Sequence, residues 1–377
     1  MRVTVDISPA VHHHAGLGRY AGELLTAMLS VEPVNEYCAF YYDPRGDAHP
    51  EPPLDQIPAR TIHLPAKPWR MSVLLASFAH VSLDRWLPPG DVFHATDHLL
   101  PPLLASRAVF TIHDLIFRFF PEYHLPLNRW YLTLMLPRFM QRANAIIAVS
   151  ENTRRDVTRL MNIPAEKIAV IYEGVNPAFR PCRDPAQLAA VRTKYQLPDR
   201  FILYLGTIEP RKNLITLLDA YQALLAHADG IPDLVIAGRK GWLYQPVFER
   251  ARALGLESRL RFTDWVDGAD APMLLSAAEV FVFPSFYEGF GLPPLEAMAC
   301  GAPVLCSNAS SLPEVVGEGG LLIDPHDTSA WAATLSRVLQ DSELRARLSA
   351  RGIAQAAQFT WERAARETLN LYHRIVL

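Results

Sequence analysis

Short apolar runs rich in β-branched and aromatic residues recur along the first half of the chain: Val3–Ile7, Tyr37–Tyr42, Thr61–Leu64, Val92–Ala95, Val109–Ile112, Ala145–Val149 and Ile168–Tyr172. Runs of this length without strict alternation are expected of strands covered on both faces. Several of the gaps between them have room for a helix, so the pattern predicts a parallel, doubly wound sheet. The rhythm breaks in the Pro- and charge-rich stretch from Pro177 to Arg200, which predicts a hinge with a short helix around Pro185–Tyr195. It then restarts with Phe201–Leu205, Leu234–Ala237, Leu260–Phe262, Val280–Phe283, Pro303–Cys306 and Leu321–Ile323. Two α/β halves follow, residues 1–177 and 178–359. In the last stretch Trp361, Ala365, Leu369, Tyr372 and Val376 recur three or four residues apart, the spacing of an amphipathic helix over Thr360–Leu377.

Composition agrees with two domains. At 377 residues and 50% hydrophobic the chain is long enough for two separate cores. A formal charge of −3 supplies no global basic field, which argues against nucleic acid as a partner. Cys38, Cys182, Cys300 and Cys306 are scattered without metal-ligand spacing and are expected to be buried thiols of a reducing compartment. Met1 leads directly into a strand-like run with no charged and apolar leader, which favours the cytoplasm. No stretch reaches the roughly 18 to 20 apolar residues of a membrane span, because Met71–Val81 is interrupted by His80 and followed by Asp84 and Arg85.

In a doubly wound sheet ligands bind where strands end and helices begin, and three constellations stand at such points. The first is Ala15-Gly16-Leu17-Gly18-Arg19-Tyr20, between a strand and the helical pattern of Tyr20, Leu24, Leu25 and Met28. Glycine there lets backbone approach a phosphate at a helix N-terminus, although such a turn can equally be structural. It is not the dinucleotide fingerprint, since Ala21 stands at the third glycine position. His12, His13 and His14 in the same loop read as solvated rather than ligand-facing. The second is Gly206-Thr207-Ile208-Glu209-Pro210-Arg211-Lys212-Asn213 after the strand Phe201–Leu205. A guanidinium beside an ammonium suits a diphosphate gaining charge, against the plainer reading of a solvated basic turn. The third is Glu288-Gly289-Phe290-Gly291-Leu292-Pro293-Pro294-Leu295-Glu296. Its prolines predict a helix start, with Glu288 in the loop and Glu296 in the first turn, where carboxylates can accept from vicinal sugar hydroxyls. Helix capping by Glu296 is the alternative, and it leaves Glu288 unexplained.

Together with Thr111-Ile112-His113-Asp114, these segments make the chain resemble glycosyltransferase family 4 over nearly its whole length. The resemblance implies a GT-B fold, two Rossmann-like domains facing a central cleft, with the C-terminal helix packed back on the first. It implies that Arg211 and Lys212 bind the donor diphosphate, that Glu296 binds ribose, that Glu288 faces the transferred sugar, and that Gly206, Thr207 and Gly289 to Leu292 line the donor site. Gly16 and Gly18 would offer backbone amides to the diphosphate, and His113 would line the sugar site. A histidine after a strand is otherwise more often a packing residue.

The family implies retention of anomeric configuration with no cofactor, and the sequence lacks the Asp-x-Asp pair used to hold a divalent ion, so no metal is expected. The form of the Arg211 and Glu288 segments is similar to bacterial mannosyltransferases of polysaccharide assembly, which implies GDP-mannose as donor and a glycan or lipid-linked acceptor. UDP-sugars stay open, as do a nucleotide-sugar epimerase on the same fold and a non-catalytic binding subunit. The pairing of basic with aromatic residues in Lys67-Pro68-Trp69-Arg70-Met71 and Arg129-Trp130-Tyr131 suits peripheral contact with the inner membrane face, with burial in the core as the equal alternative.

Overall fold

The computed structural model describes residues 1–377. The chain forms two compact units, Met1–Gly174 with Thr360–Leu377, and Val175–Phe359. The division falls at Gly174, three residues before the hinge expected at 177/178, because the Val175 amide already donates to the Phe359 carbonyl at 3.1 Å within the second unit. Gly174 itself lies against the start of the last helix. A Cβ there would fall 2.1 Å from the Trp361 nitrogen, so only glycine allows the outgoing and returning chain to pass this closely.

The first unit is built on seven parallel strands: β1 (Arg2–Asp6), β2 (Glu36–Tyr42), β3 (Ala59–Ile62), β4 (Val92–Ala95), β5 (Arg107–Ile112), β6 (Ala145–Ala148) and β7 (Ile168–Val170). Their spatial order is β3-β2-β1-β4-β5-β6-β7, so the winding reverses between β1 and β4. The edge strand β3 begins two residues before the apolar run Thr61–Leu64, because Ala59 and Arg60 pair with β2 while exposed. Helices Ala66–Ala79 and Pro126–Arg142 contribute Trp69, Val73, Met135, Leu136 and Phe139 to a core with Phe40, Phe93 and Phe110.

Helices Ala15–Val31 and Trp361–Val376 pack against each other in the same unit. The last helix buries Trp361, Ala365, Leu369 and Tyr372 as its periodicity predicts, while Val376 is exposed. A buried polar chain joins these layers. The Tyr372 hydroxyl meets His94 Nδ1 at 2.6 Å, His94 Nε2 meets Thr111 Oγ1 at 2.7 Å, and Thr111 meets the Tyr20 hydroxyl at 2.9 Å. With hydroxyls on both sides and no carboxylate beside it, His94 is driven by burial down to about 3 and is neutral.

The second unit has six parallel strands: β8 (Phe201–Leu205), β9 (Asp233–Ala237), β10 (Leu260–Phe262), β11 (Val280–Phe283), β12 (Val304–Ser307) and β13 (Gly320–Ile323). Their order, β10-β9-β8-β11-β12-β13, reverses between β8 and β11. The hinge region contains the helix Pro185–Lys194, capped by the Asp184 side chain. Two thiols, Cys300 and Cys306, are buried as expected, but Cys38 and Cys182 are only half-buried. No helix is long and apolar enough to cross a membrane.

Candidate active site

In the second unit the reversal point gathers the second and third constellations into one network. β8 leads through Gly206 into a tight turn, Pro210–Lys212, and Asn213 then takes a left-handed conformation before the helix Leu214–His227. Asn213 fixes this turn by donating to the carbonyls of Pro284 at 3.1 Å and Pro325 at 2.7 Å. Arg211 and Lys212 are thereby held beside the loop that follows β11. Lys212 Nζ donates to Glu288 Oε1 at 2.6 Å, and Arg211 Nη1 donates to Glu288 Oε2. Arg211 is further held by Glu209 at 2.6 Å and by the Tyr287 carbonyl at 3.1 Å. Ser285 adds a hydroxyl to Glu288 Oε1 at 2.6 Å.

These residues are nearly dry: Lys212 is 6% and Glu288 7% exposed. Burial alone would raise the Glu288 carboxyl, yet the charges of Arg211 and Lys212 outweigh it and bring the group down to about 2. Lys212 moves down from its ordinary value, through burial and the neighbouring Arg211, against the opposing pull of Glu288 and Glu209. The arrangement therefore carries a fixed carboxylate flanked by two fixed cations. The solvated basic turn considered from the sequence is not what the chain forms.

Glu288 is carried by a stiff loop. Its amide donates to Ser310 Oγ at 2.8 Å, and its carbonyl accepts from Ser311 Oγ at 2.9 Å, as does the Phe290 carbonyl at 2.7 Å. Gly291, at φ +122°, turns the chain into the helix Leu292–Ala299. Glu296 is the fifth residue of that helix and buried, so it stands in the second turn and cannot cap the N-terminus. The helix starts one residue earlier than the prolines suggested, with Gly291 as the capping position. Gly206 (φ +157°) and Gly238 cross closely, since a Cβ on Gly238 would fall 2.0 Å from the Gly206 oxygen. Thr207 lies against Gly241 and its carbonyl accepts from the Tyr204 hydroxyl at 3.1 Å.

In the first unit the glycine constellation is not a turn. Gly16 and Gly18 lie in the first turn of the helix Ala15–Val31, which no side chain caps. Gly18 is required by packing, because a Cβ would fall 2.7 Å from the Pro9 oxygen, while Gly16 faces open space. His12 stacks on Tyr42 at 4.4 Å, and His13 and His14 are exposed.

His113 follows β5 and is buried, with its Nε2 at 2.9 Å from the Thr96 carbonyl and its Nδ1 at 3.5 Å from Glu173 Oε1. Nearby, Asp6 ends β1 and accepts from the Ser8 amide at 2.9 Å and hydroxyl at 2.6 Å. Burial dominates there and raises the Asp6 carboxyl to about 7. Sequence reasoning did not mark Asp6, Thr96, Glu173, Ser285, Ser310 or Ser311. Asp6, Thr96 and Ser285 had an available signal, their place at or just after the ends of β1, β4 and β11 beside the two reversal points. No group of three or more His, Cys, Asp or Glu is placed to hold a metal ion.

Residues 16–179 match the family described as Glycosyltransferase Family 4, and residues 190–355 match Glycosyl transferases group 1. The chain is 36% identical over 388 residues to the O-antigen chain mannosyltransferase B of Escherichia coli, covering 99% of both chains. Against the serotype-specific mannosyltransferase WbdA of the same species it is 35% identical over 279 residues, 72% of this chain and 34% of that one. Among solved structures, the sucrose-phosphate synthase of Thermosynechococcus elongatus shares the fold with a TM-score of 0.77 at 21% identity, over 100% of this chain and 99% of that one.

The depressed Glu288 carboxyl has a thermodynamic consequence. A carboxylate with a folded value of about 2 against an ordinary 4.5 contributes stability above pH 4.5 that is lost as pH falls toward 2. The contribution is on the order of 3 kcal/mol. Thermal midpoints of wild type and Glu288→Gln, measured from pH 6 down to pH 3, should converge on acidification. A constant difference across that range would show that Glu288 is not held ionised by its neighbours.

Proposed function

The chain belongs to glycosyltransferase family 4, and on that premise we propose that it is a retaining mannosyltransferase that uses GDP-mannose and acts on a glycan or lipid-linked acceptor in polysaccharide assembly. The observation that carries this reading is the Arg211–Glu288–Lys212 network, with Glu288 and Lys212 buried, at the reversal point of the second sheet. When the bond from the sugar anomeric carbon to the β-phosphate breaks, negative charge grows on the departing diphosphate. Two cations already fixed in a low-dielectric site stabilise it with no reorganisation. That is the task a divalent ion performs in other transferases, so the proposed reaction is metal-independent. The mannose assignment is supported by the 36% identity to a protein named as an O-antigen mannosyltransferase.

Retention without an enzyme nucleophile is supported by the state of Glu288. Its oxygens already accept from a guanidinium, an ammonium and a hydroxyl, which makes it a poor nucleophile and a poor base. In the proposed step the acceptor oxygen bonds to the anomeric carbon on the face the diphosphate leaves, and the acceptor proton passes to the departing phosphate. Glu288 positions the two cations and faces the transferred sugar. Glu296 is assigned to the ribose hydroxyls, with Gly206, Thr207 and the Gly289 to Leu292 segment around the donor. The uncapped first turn offers the Gly16 amide to an anion, whereas the Gly18 amide already donates to the His14 carbonyl. His113 lines the sugar site.

We also propose a cytoplasmic protein that touches the inner membrane face peripherally, through helices Ala66–Ala79 and Pro126–Arg142. The two helices carry Lys67, Arg70, Arg129, Arg138 and Arg142 and no acidic residue. They are joined by Arg70 on Asn128 at 3.1 Å and by Arg138 over the Phe78 ring at 4.7 Å. Met71, Leu75, Phe78, Leu127 and Trp130 are exposed beside these charges. Trp69 and Tyr131 are buried, so Trp130 alone of the aromatic residues first considered is available to a headgroup layer. Exposed apolar side chains among unopposed cations suit anionic lipid.

Steady-state kinetics test the reaction. Mannose transfer from GDP-mannose should proceed in EDTA within about twofold of its rate in magnesium, and Arg211→Ala should lower kcat roughly a hundredfold or more. Glu296→Gln should raise the donor KM about tenfold with kcat kept, because ribose is unchanged by the reaction. Loss of transfer in EDTA with recovery in manganese, or preference for a UDP-hexose, would contradict the reading. For the surface, flotation with vesicles containing anionic lipid should be lost with neutral lipid and reduced in Trp130→Ser with Arg129→Ser. Binding that ignores lipid charge would remove the membrane proposal.

A further inference from the structure

His94 and His113 are both buried in the first unit, and their surroundings differ in one respect. The His94 nitrogens meet only hydroxyls, which can donate or accept, and burial with the nearby His113 charge keeps that ring neutral. His113 has a backbone carbonyl on Nε2 and a carboxylate on Nδ1. A carbonyl oxygen can only accept, and so can an ionised carboxylate. A neutral imidazole offers one N–H, so it would leave one of these two acceptors facing a lone pair. Both contacts are favourable only if the site holds one more proton.

We propose that Glu173 is the positioning residue of His113: from one side, with the Thr96 carbonyl on the other, it makes both ring nitrogens donors and fixes the imidazole as a buried cation. Glu173 is itself 5% exposed and is followed by Gly174, the glycine that the last helix requires, so its place is set by the return of the chain. The other groups facing the ring are Asp97 and His98 after β4, His94 on β4 and Tyr20 on the helix Ala15–Val31. The Tyr20 ring meets His113 edge-on at 4.7 Å and the His98 ring lies at 6.3 Å. Burial is the largest single influence on His113 and lowers its affinity for a proton. Glu173, by hydrogen bond and charge, with Thr96 and Asp97, reverses the balance and raises it above the ordinary value. The ion pair links the ends of β4, β5 and β7 across the mouth of the sheet. Because both nitrogens are committed, His113 presents a ring of fixed orientation and fixed charge rather than a mobile acid or base.

A group raised in the folded state contributes stability that is complete below its unfolded value and is lost as pH rises through the folded one. The pair should therefore loosen as pH rises through the raised folded value of His113. Its part in transfer rests on the sugar-site reading of His113, but its protonation does not, and the two can be tested apart. In the full chain, the His113 ring resonance, assigned by its absence in His113→Asn, should titrate above the ordinary value of about 6.5. In Glu173→Gln, which keeps the shape and removes the charge, burial should prevail as it does for His94, and the titration should fall by at least one pH unit. Glu173→Asp should recover part of the shift. A wild-type ring titrating at or below 6.5, or one unmoved by Glu173→Gln, would overturn the proposal. The alkaline limb of kcat should move down with the ring titration in Glu173→Gln. If the resonance moves and kcat does not, the pair stands and the sugar-site reading of His113 fails.

Discussion

The second unit is organised around a carboxylate buried between two cations. Three such charges are costly to take out of water, and the site is viable only because each is paired and hydrogen-bonded. Glu288 supplies one oxygen to Lys212 and the other to Arg211, Glu209 takes the remaining side of Arg211, and Ser285 completes the shell. The rest of the local architecture answers to that requirement. Asn213 pins the turn that carries the cations, Ser310 and Ser311 pin the loop that carries the carboxylate, and Gly291 lets that loop enter its helix. An isolated basic turn would not need any of this. The expense is understandable if the unit must meet a doubly charged ligand without rearranging, because preorganised charge is what stabilises a developing anion.

The first unit uses the same physics on a single proton. Two histidines with comparable burial are sent in opposite directions by what lies against their nitrogens, hydroxyls for His94 and a carboxylate for His113. The neutral ring serves as a link in the chain from Tyr372 to Tyr20, which ties the returning C-terminal helix to the sheet. The charged ring stands just past the C-terminal end of β5, buried within the same unit. Identity of residue and degree of burial do not settle charge; the partners do.

All thirteen strands are visible in the sequence, since a strand covered on both faces must be a short apolar run. Boundaries slip by up to two residues at β3, β5 and β7; at the edge strand β3 the first residues are exposed and carry no such signal. Gly16 and Gly18 mislead when read as turn residues: Gly18 is helical and small because Pro9 approaches it. The residues named for the donor site are legible as blocks, yet their union is not, because Lys212 and Glu288 are 76 positions apart. Trp69 shows the converse error. Flanking charges suggest a surface, but helical phase aligns it with Val73 and Ala76 on the buried face. Glu173 carries no local pattern at all, and only the folded chain brings it to His113.

In the proposed reaction the Arg211–Glu288–Lys212 network receives the donor diphosphate. A crystal structure of the chain grown with GDP measures this directly. Phosphate oxygens should lie within hydrogen-bonding distance of the Arg211 guanidinium and the Lys212 ammonium, with Glu288 still holding both cations. GDP ordered elsewhere, beside an unoccupied and unchanged network, would contradict it.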